Sequence, residues 1–296
     1  MYKRSSINYM GNKFNLLPQL LPYFPKNINC FYDLFGGSGT VSMNVKANKY
    51  LLNDLNNHIF SLYEMFKTKS ADEIILYCRK MRDTFGFSSN VKNKPKIAEY
   101  NKEPYYKCRD YMNNNPSTLG FYFLTFYSFY NQFRFNKNKF NMPVGSGYFK
   151  EESEYLIRQM CSFMSADNLR IYNKSYEEFL SVDFEENDFV YIDCPYSNTL
   201  AVYNEKGWDC GNWCEEKDYE LFDFLEKLNK KNVKWAMSNC FCNKGAKNPH
   251  LEEWCKNNEW SVKHLNMKYA SHGIDENETD EVLIADYPLV NKRALF

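Results

Sequence analysis

The alternation of apolar and polar stretches divides the chain into three parts. Near its start, Cys30-Phe31-Tyr32-Asp33-Leu34 reads as a short buried strand that runs into Gly36-Gly37-Ser38-Gly39. A helix is expected to open at Thr40-Val41-Ser42, and Tyr50-Leu51-Leu52-Asn53 reads as a second strand ending at Asp54. Strand, glycine loop, helix, strand and acid, in that order, make one nucleotide-binding half of a doubly wound sheet. From about 67 to 165 the alternation stops. Residues 71–85 and 95–115 have helical periodicity, and 111–133 is free of charge and dense in Phe and Tyr. Arg134-Phe135-Asn136-Lys137-Asn138-Lys139-Phe140-Asn141 follows, then the breakers Pro143, Gly145 and Gly147. The expectation is a mostly helical insertion tipped by a polar, basic loop. After 165 the alternation returns, with an apolar strand at Phe189–Asp193 and a helix from Glu216 to Lys230. A strand from Val233 to Met237 ending in Ser238-Asn239, a short helix over 250–258, and strands over 260–266 and 281–287 complete the pattern.

Composition narrows the class. Of 296 residues, 44% are hydrophobic and 18% aromatic, enough apolar surface to offset the entropy of ordering. No apolar run reaches the length of a membrane span, and the basic start Met1-Tyr2-Lys3-Arg4 is not followed by a signal core. The chain therefore reads as a cytoplasmic protein whose ten Cys remain thiols. Cys210-x3-Cys214 with Cys240-x-Cys242 is the nearest approach to a metal site, and neither pair has the Cys-x-x-Cys spacing of structural zinc. Net charge is zero but segregated: residues 67–150 carry 15 Lys and Arg against 6 Asp and Glu, whereas 151–296 carry 16 against 28. A basic middle segment suits a polyanion partner, or else is a solvated helical face.

Three constellations carry candidate chemistry. Asp33-x-Phe35-Gly36-Gly37-x-Gly39 lets backbone approach a ligand closely, and its spacing departs from the G-x-G-x-x-G of dinucleotide enzymes. Asp54, at the end of the next strand, is placed to accept hydrogen bonds from a ribose hydroxyl pair, or to cap the following helix. Asp193-Cys194-Pro195-Tyr196 puts a carboxylate, a stiffening Pro and an aromatic face at the end of one buried strand. That set can hold a planar base, or make an ordinary turn.

At these residues the chain resembles the amino-methylating DNA methyltransferases, in particular the Dam-like (DNA adenine methylase) branch of the alpha group. The family's N-terminal motif ending in Gly-x-Lys appears as Asn8-Tyr9-Met10-Gly11-Asn12-Lys13, its glycine motif as Asp33–Gly39, and its acid motif as Asn53-Asp54-Leu55-Asn56. Its catalytic Asp-Pro-Pro-Tyr appears as Asp193-Cys194-Pro195-Tyr196, with Cys in place of the first Pro. Between them, Asn131–Asn136 and Phe140–Gly145 look like the family's DNA-contacting loop, and Ser238-Asn239 and Glu281–Ile284 resemble two later motifs. The resemblance spans roughly residues 6–287.

The resemblance implies an α/β, Rossmann-like S-adenosylmethionine-dependent methyltransferase sheet with an inserted, mostly helical target-recognition domain. Residues 1–66 and 166–296 would form the catalytic, cofactor-binding domain and 67–165 the DNA-binding one. It implies that Tyr9, Lys13, Asp33, Phe35, Gly36, Gly37, Asp54 and Asp193 contact S-adenosylmethionine, Lys13 pairing the cofactor's carboxylate and Asp54 its ribose. Of the catalytic residues, Asp193 and Cys194 (through its carbonyl) would hold the amine, Pro195 would stiffen the turn and Tyr196 would stack on the base, and Arg134, Asn136, Lys137, Lys139 and Asn141 would contact double-stranded DNA. No metal is implied, and a restriction endonuclease of the same system is the companion such enzymes suggest. A nucleophilic Cys194 is disfavoured, since thiolate-using cytosine C5 enzymes carry the reverse Pro-Cys order. Related enzymes often place a basic residue where this chain has His272–Glu278, which leaves that loop's contacts open. Transfer to cytosine N4, to RNA or to a protein amide, and a DNA-binding module without catalysis, are the competing readings.

Overall fold

The computed structural model describes residues 1–88, 94–198, 213–266 and 279–290. Its strands are β1 (Cys30–Asp33), β2 (Lys49–Asn53), β3 (Phe135–Asn136), β4 (Lys139–Phe140), β5 (Leu169–Tyr172), β6 (Phe189–Ile192), β7 (Lys234–Asn243), β8 (Ala246–Lys247), β9 (Ser261–Leu265) and β10 (Asp280–Ala285). Its α-helices are α1 (Leu17–Leu20), α2 (Asn57–Thr68), α3 (Ala71–Phe85), α4 (Lys94–Asn114), α5 (Thr118–Thr125), α6 (Glu151–Met164), α7 (Glu215–Lys230) and α8 (Pro249–Asn257). None of the described helices is long and apolar enough to cross a membrane.

The main sheet runs β5-β2-β1-β6-β7-β10-β9, with β8 paired to β7. The first five strands are parallel, and β10 is antiparallel to both neighbours. Parallel strands are covered on both faces, which is why β6 is apolar at every position and wholly buried. Its period of two sorts the side chains: Phe189 and Tyr191 join Leu17, Leu20, Phe24 and Val41 on one face. Val190 and Ile192 join Leu221, Leu225 and Trp235 under α7 and α8 on the other. A third apolar cluster unites α2 with α3, α5 and α6 through Phe66, Ile75, Phe123 and Met160.

Several expectations are corrected by the fold. No helix opens at Thr40–Ser42; residues 39–45 make successive turns, with Met43 N–H on Gly39 O and Val45 N–H on Val41 O. Side chains compete with the backbone there, Ser42 bonding Asp33 and Ser38 bonding Thr40. The strand expected to end at Ser238-Asn239 continues as β7 to Asn243, because β10 and then β8 pair with its far half. The tip expected as a loop is the hairpin β3–β4.

Candidate active site

Because β1 lies between β2 and β6, the connections after β1 and β6 leave the sheet in opposite directions, and a crevice opens at their carboxyl ends. Asp33, the last residue of β1, is buried and accepts the Ser42 hydroxyl at 2.6 Å. Burial, opposed by Ser42 and reinforced by the nearby Asp193 and Asp54 carboxylates, pushes its carboxyl up to about 7. Asp54 receives the Gly37 N–H on Oδ2 and the Asn56 N–H on Oδ1, both at 2.8 Å, and burial pushes its carboxyl up to about 6. The cap of α2 is Asn56, whose side chain accepts from His58 and Ile59, so Asp54 is not spent as a helix cap.

The glycine loop is held from several sides. A Cβ on Gly36 would lie 2.3 Å from Leu52 Cδ1, and Gly37 has φ +50 with the Tyr9 ring against it. The Tyr63 hydroxyl donates to Gly37 O at 2.8 Å, and the Tyr9 hydroxyl receives Asn56 Nδ2 at 3.3 Å. Phe35 packs against Tyr176 (5.4 Å between centroids) and edge-on to Trp213 (5.7 Å).

Lys13 is carried to the end of β6. Gly11 turns the chain with φ +78 and Asn12 caps a short 3-10 helix beginning at Lys13. The Leu16, Leu17 and Leu20 that follow bury under the sheet. The 5%-exposed Lys13 ammonium thus sits 2.7 Å from Asp193 Oδ1, 3.1 Å from Gly11 O and 5.3 Å from the Tyr196 ring centroid. It pairs with a carboxylate of the protein's own. Burial raises the Asp193 carboxyl, and Lys13 pulls it back.

Cys194 is buried, its sulfur 3.7 Å from Asn239 Nδ2, and burial, with Asp218 and Asp193 nearby, raises its thiol well above the ordinary range. A nucleophilic thiolate is not built here. Asn239 and Ser238, which bonds the Tyr191 hydroxyl at 2.7 Å, back the turn after β6 from β7. Two residues carry roles that their motif letters alone did not announce. Asn53 joins the glycine loop to the segment after β5, donating to Leu34 O and Lys174 O and accepting from Lys174 N–H. Glu281, 5% exposed on β10, has a buried Oε2 without a hydrogen-bond partner among the described residues. Burial raises its carboxyl, Lys13 opposes and Asp193 reinforces, which places it in the same charge cluster. A buried polar residue at the end or middle of an apolar strand is the sequence signal for both.

The hairpin presents the other predicted residues. Phe135 and Phe140 are buried against Phe121 and Phe133, and His58 stacks on Phe135 at 3.7 Å. Alternation then leaves Arg134, Asn136, Lys137 and Lys139 exposed, and Asn141 half-buried, receiving the Arg134 Nε–H at 3.2 Å. Lys137 and Asn138 both have positive φ (47° and 62°), the geometry of a type I′ turn. In the 3-10 turn that precedes the hairpin, Tyr130 is 71% exposed with φ 52, its carbonyl held by Asn8 Nδ2 at 2.6 Å. Asn8 belongs to the segment that delivers Lys13, so the turn that carries Tyr130 and the Lys13–Asp193 pair share a support. The expectations about Cys210 and about His272–Glu278 lie outside the described residues.

The crevice has the donor set that S-adenosylmethionine needs. Each Asp54 oxygen has accepted one N–H and keeps further acceptor capacity for a hydroxyl pair. Phe35, Tyr176 and Trp213 form an aromatic wall, and the surplus of buried carboxylates around Lys13 suits a cationic sulfonium. The modification methylase StsI of Streptococcus sanguinis is 32% identical over 97% of this chain, which covers 43% of that protein. The type II methyltransferase M.FokI of Planomicrobium okeanokoites is 34% identical, again over 97% of this chain and 43% of its own length. The chain thus spans less than half of those two relatives. It matches the DNA adenine methylase of Escherichia coli (strain K12) over 95% of this chain and 94% of that one, at 25% identity. The model of D12 class N6 adenine-specific DNA methyltransferases matches residues 9–270, and the chain belongs to that family.

Proposed function

We propose that this protein transfers the methyl group of S-adenosylmethionine to the N6 amine of an adenine flipped out of duplex DNA. The observation that carries the reading is Asp193, oriented by Lys13 at the end of β6, facing the crevice that Asp54 and the glycine loop line. When bound, the cofactor supplies an electrophilic methyl on a sulfonium. The chain's part is to make adenine N6 a nucleophile, which it is not while its lone pair is delocalised into the ring. Asp193 Oδ and the Cys194 carbonyl accept the two N6 hydrogens and favour a pyramidal nitrogen, while Tyr196 supplies a face for the base. A backbone carbonyl serves as acceptor whichever side chain follows it, so Cys194 in place of Pro leaves the chemistry intact. The proton is lost from an already cationic nitrogen, so no strong base is required.

Extruding the base costs a few kcal/mol of stacking and pairing. Residues 67–165 are the DNA-recognition lobe in this reading, with residues 1–66 and 166–296 as the catalytic one. Arg134, Asn136 and Asn141 have side chains that read guanine and adenine edges, and Lys137 and Lys139 contact phosphates. Tyr130, exposed and aromatic on a strained backbone, is suited to stack in the gap the base leaves. The Streptococcus sanguinis relative is named a modification methylase, and on that ground we take a restriction endonuclease of the same system as a companion. The deciding experiment is transfer of labelled methyl from S-adenosylmethionine to unmethylated duplex DNA, followed by nucleoside analysis. Label in N6-methyladenosine is the expected result. Label in N4-methylcytosine moves the target base, and label only in RNA or peptide overturns the reading.

A further inference from the structure

One fully buried acid lies outside the machinery described above. Asp218, in the first turn of α7, is 0% exposed. Its Oδ1 accepts the Trp213 indole N–H at 2.7 Å; its Oδ2 accepts the Ser197 hydroxyl and lies 2.7 Å from His250 Nε2. Asn248 Nδ2 in turn donates to Ser197 Oγ at 3.3 Å. These partners come from separate places. Ser197 directly follows Tyr196 of the catalytic turn, Trp213 edges against Phe35 beside the glycine loop, and His250 stands at the start of α8. Burying a carboxylate is costly unless its lone pairs are filled. Here three side chains fill them, and the N-terminal end of α7 adds a favourable field. Ser, His and Asp together do not make a hydrolytic triad, because Ser197 and His250 both address the carboxylate and, among the described residues, no imidazole faces the hydroxyl.

Resting on the proposed function, we propose that Asp218 is a positioning residue. It locks the catalytic turn ending at Tyr196 to the aromatic wall of the cofactor crevice, and His250 holds the carboxylate between them. One oxygen serves each side, so the two effects separate. Ser197→Ala is expected to lower kcat about tenfold with cofactor affinity held, the size of one lost hydrogen bond to a charged group. Trp213→Phe keeps the ring and loses the donor, and is expected to weaken S-adenosylmethionine binding by a similar factor. Asp218→Asn should do both, and His250→Gln, which retains a donor, should recover most of what His250→Ala loses. Calorimetric titration with S-adenosylmethionine and steady-state kinetics on duplex DNA read the two arms separately. A merely structural Asp218 would lower the melting temperature of Asp218→Asn while leaving Kd and kcat per folded molecule unchanged, and that result overturns the proposal. So does a Ser197→Ala and Trp213→Phe pair that move the same parameter, which decides the matter even where Asp218→Asn does not fold. Failure of the unaltered chain to methylate DNA would instead sink the functional reading, and the cofactor titrations of Trp213→Phe and Asp218→Asn would still decide this one.

Discussion

The strand-end cluster gathers acids around one lysine, whereas the β3–β4 hairpin sets basic and amide side chains on an aromatic base. At the strand ends, Asp33, Asp54, Asp193 and Glu281 are gathered with Lys13 where little water reaches, and hydrogen-bond or ion-pair partners fix Asp33, Asp54 and Asp193. On the hairpin, Arg134, Asn136, Lys137 and Lys139 stand in solvent, and it is the aromatic underside that is fixed. In the proposed function the first region reshapes an amine, which requires preorganised charge, and the second reads DNA. A site that reads a varying sequence needs a rigid frame with exchangeable side chains on top. Substitutions should therefore act steeply and on chemistry in the first region, and shallowly and on binding in the second.

The sharpest break should come from Asp193→Ala, expected to lower methyl transfer by roughly a thousandfold or more, the upper range for deleting a preorganised transition-state contact. Cofactor binding, measured separately, should persist in part; near-normal turnover would sink the mechanism. Next in size is Lys13→Met, which leaves Asp193 buried without its cation at a cost of about 3–5 kcal/mol. Lys13 lowers the Asp193 carboxyl, so its removal raises it, and the acid limb of the kcat profile should move to higher pH. Stability should follow the same sign. A carboxyl raised in the folded state favours folding below its unfolded value and loses that advantage as pH rises through the folded one, so the variant's deficit in melting temperature should be larger at pH 8 than at pH 5. An unchanged profile would show that Asp193 does not act as a carboxylate.

The two regions also differed in how far the sequence revealed them. β1, β6 and α7 are strongly periodic, and their ends matched the pattern within a residue or so. Asp33, Asp54 and Asp193 could be placed because each ends or follows a buried strand, and a sheet brings such ends together. The Lys13–Asp193 pair was not legible, since nothing local tells a lysine after Gly11 which distant carboxylate it will meet. The turns after Gly39 escaped for the opposite reason: an apparent helix start was outcompeted by Ser42 reaching back to Asp33. The hairpin was hidden because its turn carries Lys137-Asn138, neither of them the Gly that usually marks positive φ. The exposed Tyr130 was lost among neighbouring aromatics that do bury.

Arg134→Ala tests whether the hairpin reads bases. Arg134 is exposed, with its Nε–H on Asn141 Oδ1, and its guanidinium is a planar fork. If that fork meets a guanine edge, the loss should be about 1–3 kcal/mol of discrimination at one position of the site. Sequencing of the methylated products would show it as relaxed preference there, with kcat on the best site little changed. An equal loss on every DNA would reduce Arg134 to a phosphate contact.

The smallest effects belong to Lys137 and Lys139, at and just after the turn, exposed and carrying no base-reading geometry. Each replacement by Ala should weaken binding to all sequences alike, and each phosphate contact removed should flatten the slope of log affinity against log salt by about 1. The effect should be plain at low salt and nearly vanish where counterions already screen the duplex. Fluorescence anisotropy on one cognate and one scrambled duplex across a salt series is enough to see it. If Lys137→Ala changed the ratio between the two duplexes, the turn would be reading sequence, and the line between a positioning turn and a reading Arg134 would have to be redrawn along the hairpin.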